Sequence, residues 1–263
     1  LRTLKPHASV DMVAPGAGPA YGIADALRLL QNVERPVLFL CGDKFSDKIG
    51  SVRTSRMIFG DGAAALVLTA ANPGAKPDIE VLQTYASGPH NEVNSIIWPN
   101  PEFDNNITVY GPDVQVLVKR YLGQMMAELK AMQDPDQPTR SLLESIDLVV
   151  PHQANQTMVT KLATAAGFAA DKMFFNIARV GNTSAASIPI AIFDAVAEGV
   201  IDKPCRIFTP AFGAGAVAGY AVINFDPRIV ARGTASAAQT AAPTTAGTHG
   251  GSTVNDMQDA FGR

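Results

Sequence analysis

Apolar residues recur along this chain with two periods, and the switches between them predict its elements. Val37-Leu38-Phe39-Leu40-Cys41 and Ala63–Leu68 are short unbroken apolar runs, and Ile146–Val150 is apolar but for Asp147, the pattern of buried strands. Ala8–Ala14 alternates and then turns apolar, as a strand entering a core does. Ile79–Tyr85, Phe174-Phe175, Cys205–Thr209 and Ala216–Phe225 read as further strands. Helical spacing runs through Ala20–Leu30 (Ile23, Ala26, Leu27, Leu30), Pro112–Met132 (Val114, Leu117, Val118, Tyr121, Leu122, Met125, Met126, Leu129), Gln156–Ala166 and Thr183–Glu198. Pro19 fits a first helical turn, where no N–H partner is lost. Pro189 belongs in the first turns of the last helix or kinks it. Strands alternating with helices predict an α/β architecture.

Polar and Gly/Pro-rich breaks separate these elements. Pro15-Gly16-Ala17-Gly18-Pro19 is a dense turn signal, Ser46–Ser55 is a polar loop, and Phe59-Gly60-Asp61-Gly62 is a tight turn in which Asp61 caps nearby backbone N–H groups. Asn72–Lys76 reads as a surface joint. Ser87–Thr108 shows no clean period and reads as a long loop, with His90 at the surface and Trp98 as a buried anchor. The organisation is therefore 1–71, then 77–226, then a tail over 227–263. From Arg228 to His249 the chain is Ala, Thr and Gly with almost no large apolar residue, the composition of a linker. Val254–Phe261 is a short amphipathic piece after it.

Composition narrows the function classes. The 263 residues are 47% hydrophobic and 17% charged, enough for a substantial core, and the net charge is −3. No Lys/Arg block suggests a nucleic-acid surface. No apolar run approaches the ~20 residues that span a bilayer. No secretory signal opens the sequence, so the expected location is cytoplasmic. Cys41 and Cys205 lie in or beside strand-like runs and read as reduced, buried thiols. No metal-ligand set is expected.

The candidate chemistry lies at two polar turns. Val150-Pro151-His152-Gln153-Ala154-Asn155 follows one apolar run and precedes a helix. Thirty residues on, Gly181-Asn182-Thr183-Ser184-Ala185-Ala186-Ser187 repeats the arrangement after Phe174-Phe175. His152 thus falls past the carboxyl end of a strand, where open α/β sheets hold their ligands. One imidazole and one carboxamide, each at such a turn, form the candidate functional pair.

PHQAN, GNTSAAS thirty residues later, then FGAGAVAGYAVI, with the FGDGA turn upstream, resembles the β-ketoacyl-ACP synthase III enzymes of the thiolase superfamily over roughly residues 8–225. The resemblance implies a five-layer αβαβα thiolase-like fold whose N-terminal pseudo-repeat is truncated here, a longer N-terminal half preceding residue 1 in the family. It implies a dimer across an edge strand matching Ala8–Val13, either a homodimer or a heterodimer with a ketosynthase paralogue. It implies no permanently bound cofactor; the substrates would be CoA or phosphopantetheine thioesters, brought as acyl-CoA or on an acyl carrier protein, for fatty acid or polyketide synthesis. His152 and Asn182 match the family's enolate-holding pair. Gly213 and Gly215, in Phe212-Gly213-Ala214-Gly215, match the turn whose backbone N–H groups complete an oxyanion hole for the acyl carbonyl. Asn155 and Thr157 fall in the substrate-binding stretch, and Thr157 stands where carrier-using members commonly have Arg.

The nucleophile departs from the family pattern. Gly16 falls where the resemblance places the acylated Cys, and the spacing of Gly16, His152 and Asn182 agrees with that register. A helix N-terminus there would favour a thiolate, but glycine cannot be acylated. Three readings follow: an acyltransferase of the synthase III type, a non-catalytic partner of a complete ketosynthase, or a decarboxylase of malonyl thioesters. In each, a void about the size of a thiomethyl group is expected beside Gly16.

Overall fold

The computed structural model describes residues 9–50, 53–87 and 96–231. The elements are α1 (Gly18–Leu30), β1 (Val37–Asp43), α2 (Arg53–Arg56), β2 (Gly62–Leu68), β3 (Ile79–Ala86), β4 (Ile96–Asn100), β5 (Asn106–Val109), α3 (Gly111–Ala131), β6 (Leu148–Val149), α4 (Gln156–Ala165), α5 (Ile177–Val180), α6 (Ser187–Ala197), β7 (Cys205–Gly213) and β8 (Val217–Phe225). Pro19 and Pro189 each sit in the first turn of a helix, as their missing N–H allows.

A four-stranded sheet in the order β3-β8-β7-β6 is the centre of the molecule. Its face toward α3 and α4 buries Phe208, Tyr220 and Val222 against Val118, Leu122, Met125 and Leu129. Its other face packs Ile207, Ala211 and Phe225 against Ala17, Ile188, Ala191 and Ala195 of the α1 and α6 region. Each fully buried Ile or Phe side chain here contributes about 1.5–3 kcal/mol relative to exposure. The β1-β2 pair lies beyond α1 and α6, with α1 on β1 and α6 on β2. The described residues thus build helix, sheet, helix and sheet layers. Small residues let the two middle helices approach: a Cβ on Gly18 would come within 2.6 Å of the Ala185 Cβ. At the edge of this core the Tyr85 and Tyr220 hydroxyls both donate to the Glu128 carboxylate of α3.

Several sequence expectations require correction. Strands alternating with helices imply parallel-rich sheets, but among the described residues only β6-β7 is a parallel strand pair, whereas β1-β2, β3-β8, β4-β5 and β7-β8 are antiparallel. The short turn at 214–216 makes β7 and β8 a hairpin, which no parallel pair can be. The apolar run of β1 is covered on one face only. Leu38 and Leu40 are 43% and 51% exposed, and Val67 on β2 is 67% exposed, because nothing among the described residues covers their outer side. Residues 9–14 form no strand; they have no ladder partner, and Val10 and Val13 are exposed.

Phe174-Phe175 forms a single parallel bridge from Met173 to Val149 instead of a strand. The stretch read as a long loop contains the β4-β5 hairpin. Its turn carries Asp104 and Asn105 at φ +53° and +59°, an Asx pair that tolerates the left-handed region without the usual glycine. The last helix begins at Ser187, after a 3-10 turn over Ser184–Ala186. His90, the Trp98 side chain, and the linker and amphipathic tail beyond residue 231 lie outside the described residues. No helix among the described residues is long and apolar enough to cross a membrane.

Candidate active site

Gly16 lies in a three-residue turn closed by a hydrogen bond from Ala17 N to Pro15 O at 2.8 Å, just before α1. Its φ is +71°, and a Cβ built there would stand 2.9 Å from Nε2 of His152. The chain thus brings Gly16 and the imidazole together. The same Cβ would meet the Phe212 carbonyl oxygen at 2.1 Å. No thiomethyl-sized void therefore awaits a side chain, contrary to the expectation: the strand end at Phe212 closes directly on the glycine. Gly213 allows this approach, since a Cβ there would fall 1.4 Å from Pro15 O.

His152 is 4% exposed and is held by its backbone N–H donating to Pro210 O at 2.8 Å. The turn it occupies is fixed by Gln153, whose buried carboxamide makes four hydrogen bonds. Nε2 donates to Pro151 O at 2.8 Å and Phe174 O at 3.4 Å, while Oε1 accepts from Asn176 N at 3.0 Å and Ile177 N at 3.3 Å. Sequence reasoning passed over Gln153, because its role depends on a turn more than twenty residues away. His152 Nδ1 lies 2.6 Å from Ser187 Oγ. Burial depresses the imidazole to a pKa of about 4, so the ring is neutral near pH 7.

Asn182 does not follow a strand. It is delivered by α5 and by Gly181 at φ +73°, and its backbone joins the FGDGA turn. Asn182 N donates to Ile58 O at 2.7 Å, and Gly60 N donates to Asn182 O at 3.0 Å. Gly60 makes this contact possible, because a Cβ there would meet Val180 O at 2.1 Å. Asn182 is 8% exposed, and its Oδ1 accepts from Ser184 N at 2.8 Å, which leaves the Nδ2 hydrogens as the group able to donate. Ser184, at φ +51°, also accepts from Gly16 N at 3.1 Å. One buried serine thereby links the turns of Gly16 and Asn182.

The remaining expected residues are placed as follows. Gly213 ends β7 opposite Val217, and Gly215 turns at φ +138°. Asn155 is the N-cap of α4: its Oδ1 accepts from Met158 N at 3.0 Å. Thr157 is exposed in the first turn of that helix. Asp61 Oδ1 accepts from Phe45 N at 2.7 Å and Ser46 N at 2.9 Å, and the bonding to Ser46 holds its carboxyl below the ordinary range. Cys41 and Cys205 are free thiols, each pushed up by burial to a pKa of about 11 and so poor thiolates.

A second polar cluster, invisible in the sequence, sits at the opposite end of β7. Arg206 donates through Nε and Nη2 to the two oxygens of Glu80 at 2.6 and 3.0 Å, through Nη1 to Asp134 at 3.2 Å and through Nη2 to Asp136 at 2.9 Å. Lys76 adds a contact to Glu80 at 2.9 Å. Burial works to raise the Glu80 carboxyl, but hydrogen bonds from Arg206, Lys76 and Asn224 hold it below its ordinary value. A cavity of about 580 Å³ adjoins this cluster, lined by Arg206, Cys205 and acidic residues; none of the expected site residues lines it.

Comparison with known proteins gives the family and the fold. The family model described as 3-oxoacyl-[acyl-carrier-protein (ACP)] synthase III matches residues 10–87, and that of the same enzyme's C terminal matches residues 140–225. The chain belongs to the β-ketoacyl-[acyl-carrier-protein] synthase III family. It is 30% identical over 239 residues to synthase III 2 of Vibrio cholerae, covering 88% of this chain and 64% of that protein. It is 30% identical over 222 residues to the synthase III of Shewanella oneidensis, covering 82% of this chain and 67% of that one. Among solved structures, the synthase III of Pseudomonas aeruginosa superposes with a TM-score of 0.71 at 25% identity, over 82% of this chain and 66% of that one. The fold is accordingly thiolase-like, and the chain spans about two thirds of the length of these relatives.

Proposed function

We propose that this chain handles acyl thioesters, presented on CoA or on an acyl carrier protein, in the manner of its family but without an acyl-enzyme at residue 16. His152 Nε2 and Asn182 Nδ2 would donate to the thioester carbonyl oxygen of a malonyl group. As the bond to the carboxylate carbon breaks, CO₂ leaves and the electron pair moves into the enolate held by the two donors. Protonation of the enolate carbon by water then gives the acetyl thioester. Backbone N–H groups around Gly213 and Gly215 would bind the carbonyl of a second acyl group if acyl transfer or condensation follows. The observation that carries this reading is the 2.9 Å separation between His152 Nε2 and the Cβ position of Gly16, which sets a neutral buried imidazole beside that glycine. No permanently bound cofactor is required.

The test is release of CO₂ from malonyl-CoA, and from malonyl carrier protein, by the purified chain. Turnover is expected without stable acyl label on the denatured protein. His152→Ala and Asn182→Ala should each lower the rate by about 10²–10³, the usual effect of removing one oxyanion donor. Absence of CO₂ release from either thioester would overturn the catalytic reading.

A second reading is a non-catalytic partner in a heterodimeric ketosynthase. It is favoured by the Phe212 carbonyl occupying the space a Cys side chain would need. Stable co-purification with a complete ketosynthase, together with no CO₂ release, would support it.

A further inference from the structure

We propose that Ser187 sets the tautomer of His152, fixing the imidazole proton on Nε2 so that the ring donates toward the reacting position. This rests on the donor role proposed for His152 and adds a positioning residue to it. Ser187 opens α6 and is 1% exposed. Its Oγ lies 2.6 Å from His152 Nδ1 and accepts from the backbone N–H of Gln153 at 3.4 Å.

The two contacts together decide the direction of the short one. A backbone N–H can only donate, so Gln153 uses a lone pair of the serine oxygen. The serine hydroxyl has a single hydrogen, and His152 Nδ1 is the only other partner of Oγ among the described residues. If Nδ1 carried the ring proton, Oγ would accept twice and its own O–H would be buried with no acceptor, an arrangement native structures avoid. With the hydroxyl donating to Nδ1, the serine hydrogen and the ring acceptor satisfy each other and the ring proton resides on Nε2. A neutral imidazole offers one donor and one acceptor, and which nitrogen donates is set by the bond the other makes. Burial supports the scheme by keeping the ring uncharged, so that a tautomer exists to be selected.

The same seven-residue stretch then orients both donors from one side of the site. Ser184 N–H occupies the Asn182 oxygen and leaves its NH₂ to donate. Ser187 O–H occupies His152 Nδ1 and leaves Nε2–H to donate.

The experiment is long-range ¹H–¹⁵N correlation on the full chain labelled in its histidine rings near pH 7, with His152 assigned by loss of its signals in His152→Gln. The expected wild-type result is the Nε2–H tautomer. Ser187→Ala should shift His152 toward Nδ1–H or a mixture, and Ser187→Thr, which keeps the hydroxyl, should restore Nε2–H. A wild-type ring protonated on Nδ1 overturns the proposal even if Ser187→Ala fails to fold, as does an unchanged tautomer in a folded Ser187→Ala. In malonyl-CoA decarboxylation, Ser187→Ala should lower kcat by roughly 10²–10³, the size of losing one oxyanion donor, with KM little changed. The tautomer is read without turnover, so the two ideas separate. A Ser187-dependent tautomer in a chain that releases no CO₂ upholds the positioning role and removes the catalytic one. Turnover with a Ser187-independent tautomer does the reverse.

Discussion

Gly16 and His152 meet although most of the folded chain lies between them: a Cβ on Gly16 would stand 2.9 Å from the imidazole Nε2 and 2.1 Å from the Phe212 carbonyl oxygen. The first distance sets residue 16 against the imidazole. The second means that glycine is what this backbone accommodates.

Gly16→Ala is therefore expected to destabilise the protein more than Gly74→Ala. Both glycines have positive φ, +71° and +81°, so both substitutions carry the left-handed penalty of about 1 kcal/mol. Gly74 has nothing within 4 Å of its Cβ position, whereas Gly16 has a backbone oxygen there. Urea denaturation should show an excess loss of about 1–3 kcal/mol at Gly16, the range for overpacking. Equal losses would mean that the Phe212 strand end yields, and Gly16→Cys would then be a fair candidate for acylation by acyl-CoA.

The depressed His152 pKa makes stability depend on pH. The folded protein holds the ring at about 4, against an ordinary value of 6.5 that applies to the unfolded chain. Between these values the unfolded state binds a proton that the folded state refuses. The contribution is complete above about pH 6.5 and is lost as pH falls toward 4, by about 3 kcal/mol in all. Denaturation midpoints at pH 7 and pH 5 should differ, and His152→Gln should flatten that difference. An identical pH slope in the variant would show that the ring is not desolvated.

The Arg206 cluster gives a prediction independent of the site. Glu80 and Asp134 side chains are 6% and 2% exposed, and Arg206 pairs with both. Arg206→Met would leave two buried carboxylates without their guanidinium and should cost about 3–5 kcal/mol near neutral pH. Both carboxyls are held below their ordinary values in the folded protein. The stabilisation is thus present at neutral pH and lost as acid protonates them. The variant's deficit should shrink in acid, which equilibrium unfolding at pH 7 and pH 4 would show. A deficit that does not change with pH would count against the ion-pair account.

These clusters also show what the sequence could carry. PHQAN, GNTSAAS and the glycine turn at 213–215 made the family legible because each is a local run that survives without knowledge of the fold. The turn at Gly16 was legible by its Gly/Pro density. The Arg206 network was not, because its partners come from residues 80, 134 and 136 and only the sheet brings them to residue 206. The apolar run of β1 predicted cover on both faces, since a run of Val, Leu and Phe carries no information about which neighbour is present. The strand expected at Ala8–Ala14 failed for the same reason: a ladder needs a partner, and alternation within one segment does not supply it. Asn155 satisfied a motif and an N-cap at once, and the structure assigns its oxygen to the cap.

Gln153 connects stability to the site most directly. Its Oε1 is the acceptor for the N–H groups of Asn176 and Ile177, and its Nε2 donates to the carbonyls of Pro151 and Phe174. Gln153→Met keeps the approximate volume and removes all four bonds, leaving two backbone N–H groups and two carbonyls without this partner. With about 1–3 kcal/mol for each buried group left unsatisfied, partly relieved by relaxation, a loss of about 3 kcal/mol or more is expected. Gln153→Glu is more informative. In its ionised form it keeps the acceptor for Asn176 and Ile177 but offers nothing to Pro151 and Phe174, and it buries a charge. Protonated, the carboxyl regains one donor, so its folded pKa should rise above the ordinary glutamate value. A group so raised favours folding below its unfolded pKa and loses that advantage as pH increases through the folded one. The Gln153→Glu protein should therefore approach wild-type stability in mild acid and lose it toward pH 8, the opposite trend to that expected from His152. Because His152 follows Pro151 directly, the loosened turn should also lower malonyl-CoA decarboxylation in both variants. Stability of Gln153→Glu that does not change between about pH 5 and 8 would mean that the carboxamide is less enclosed than its hydrogen bonds indicate.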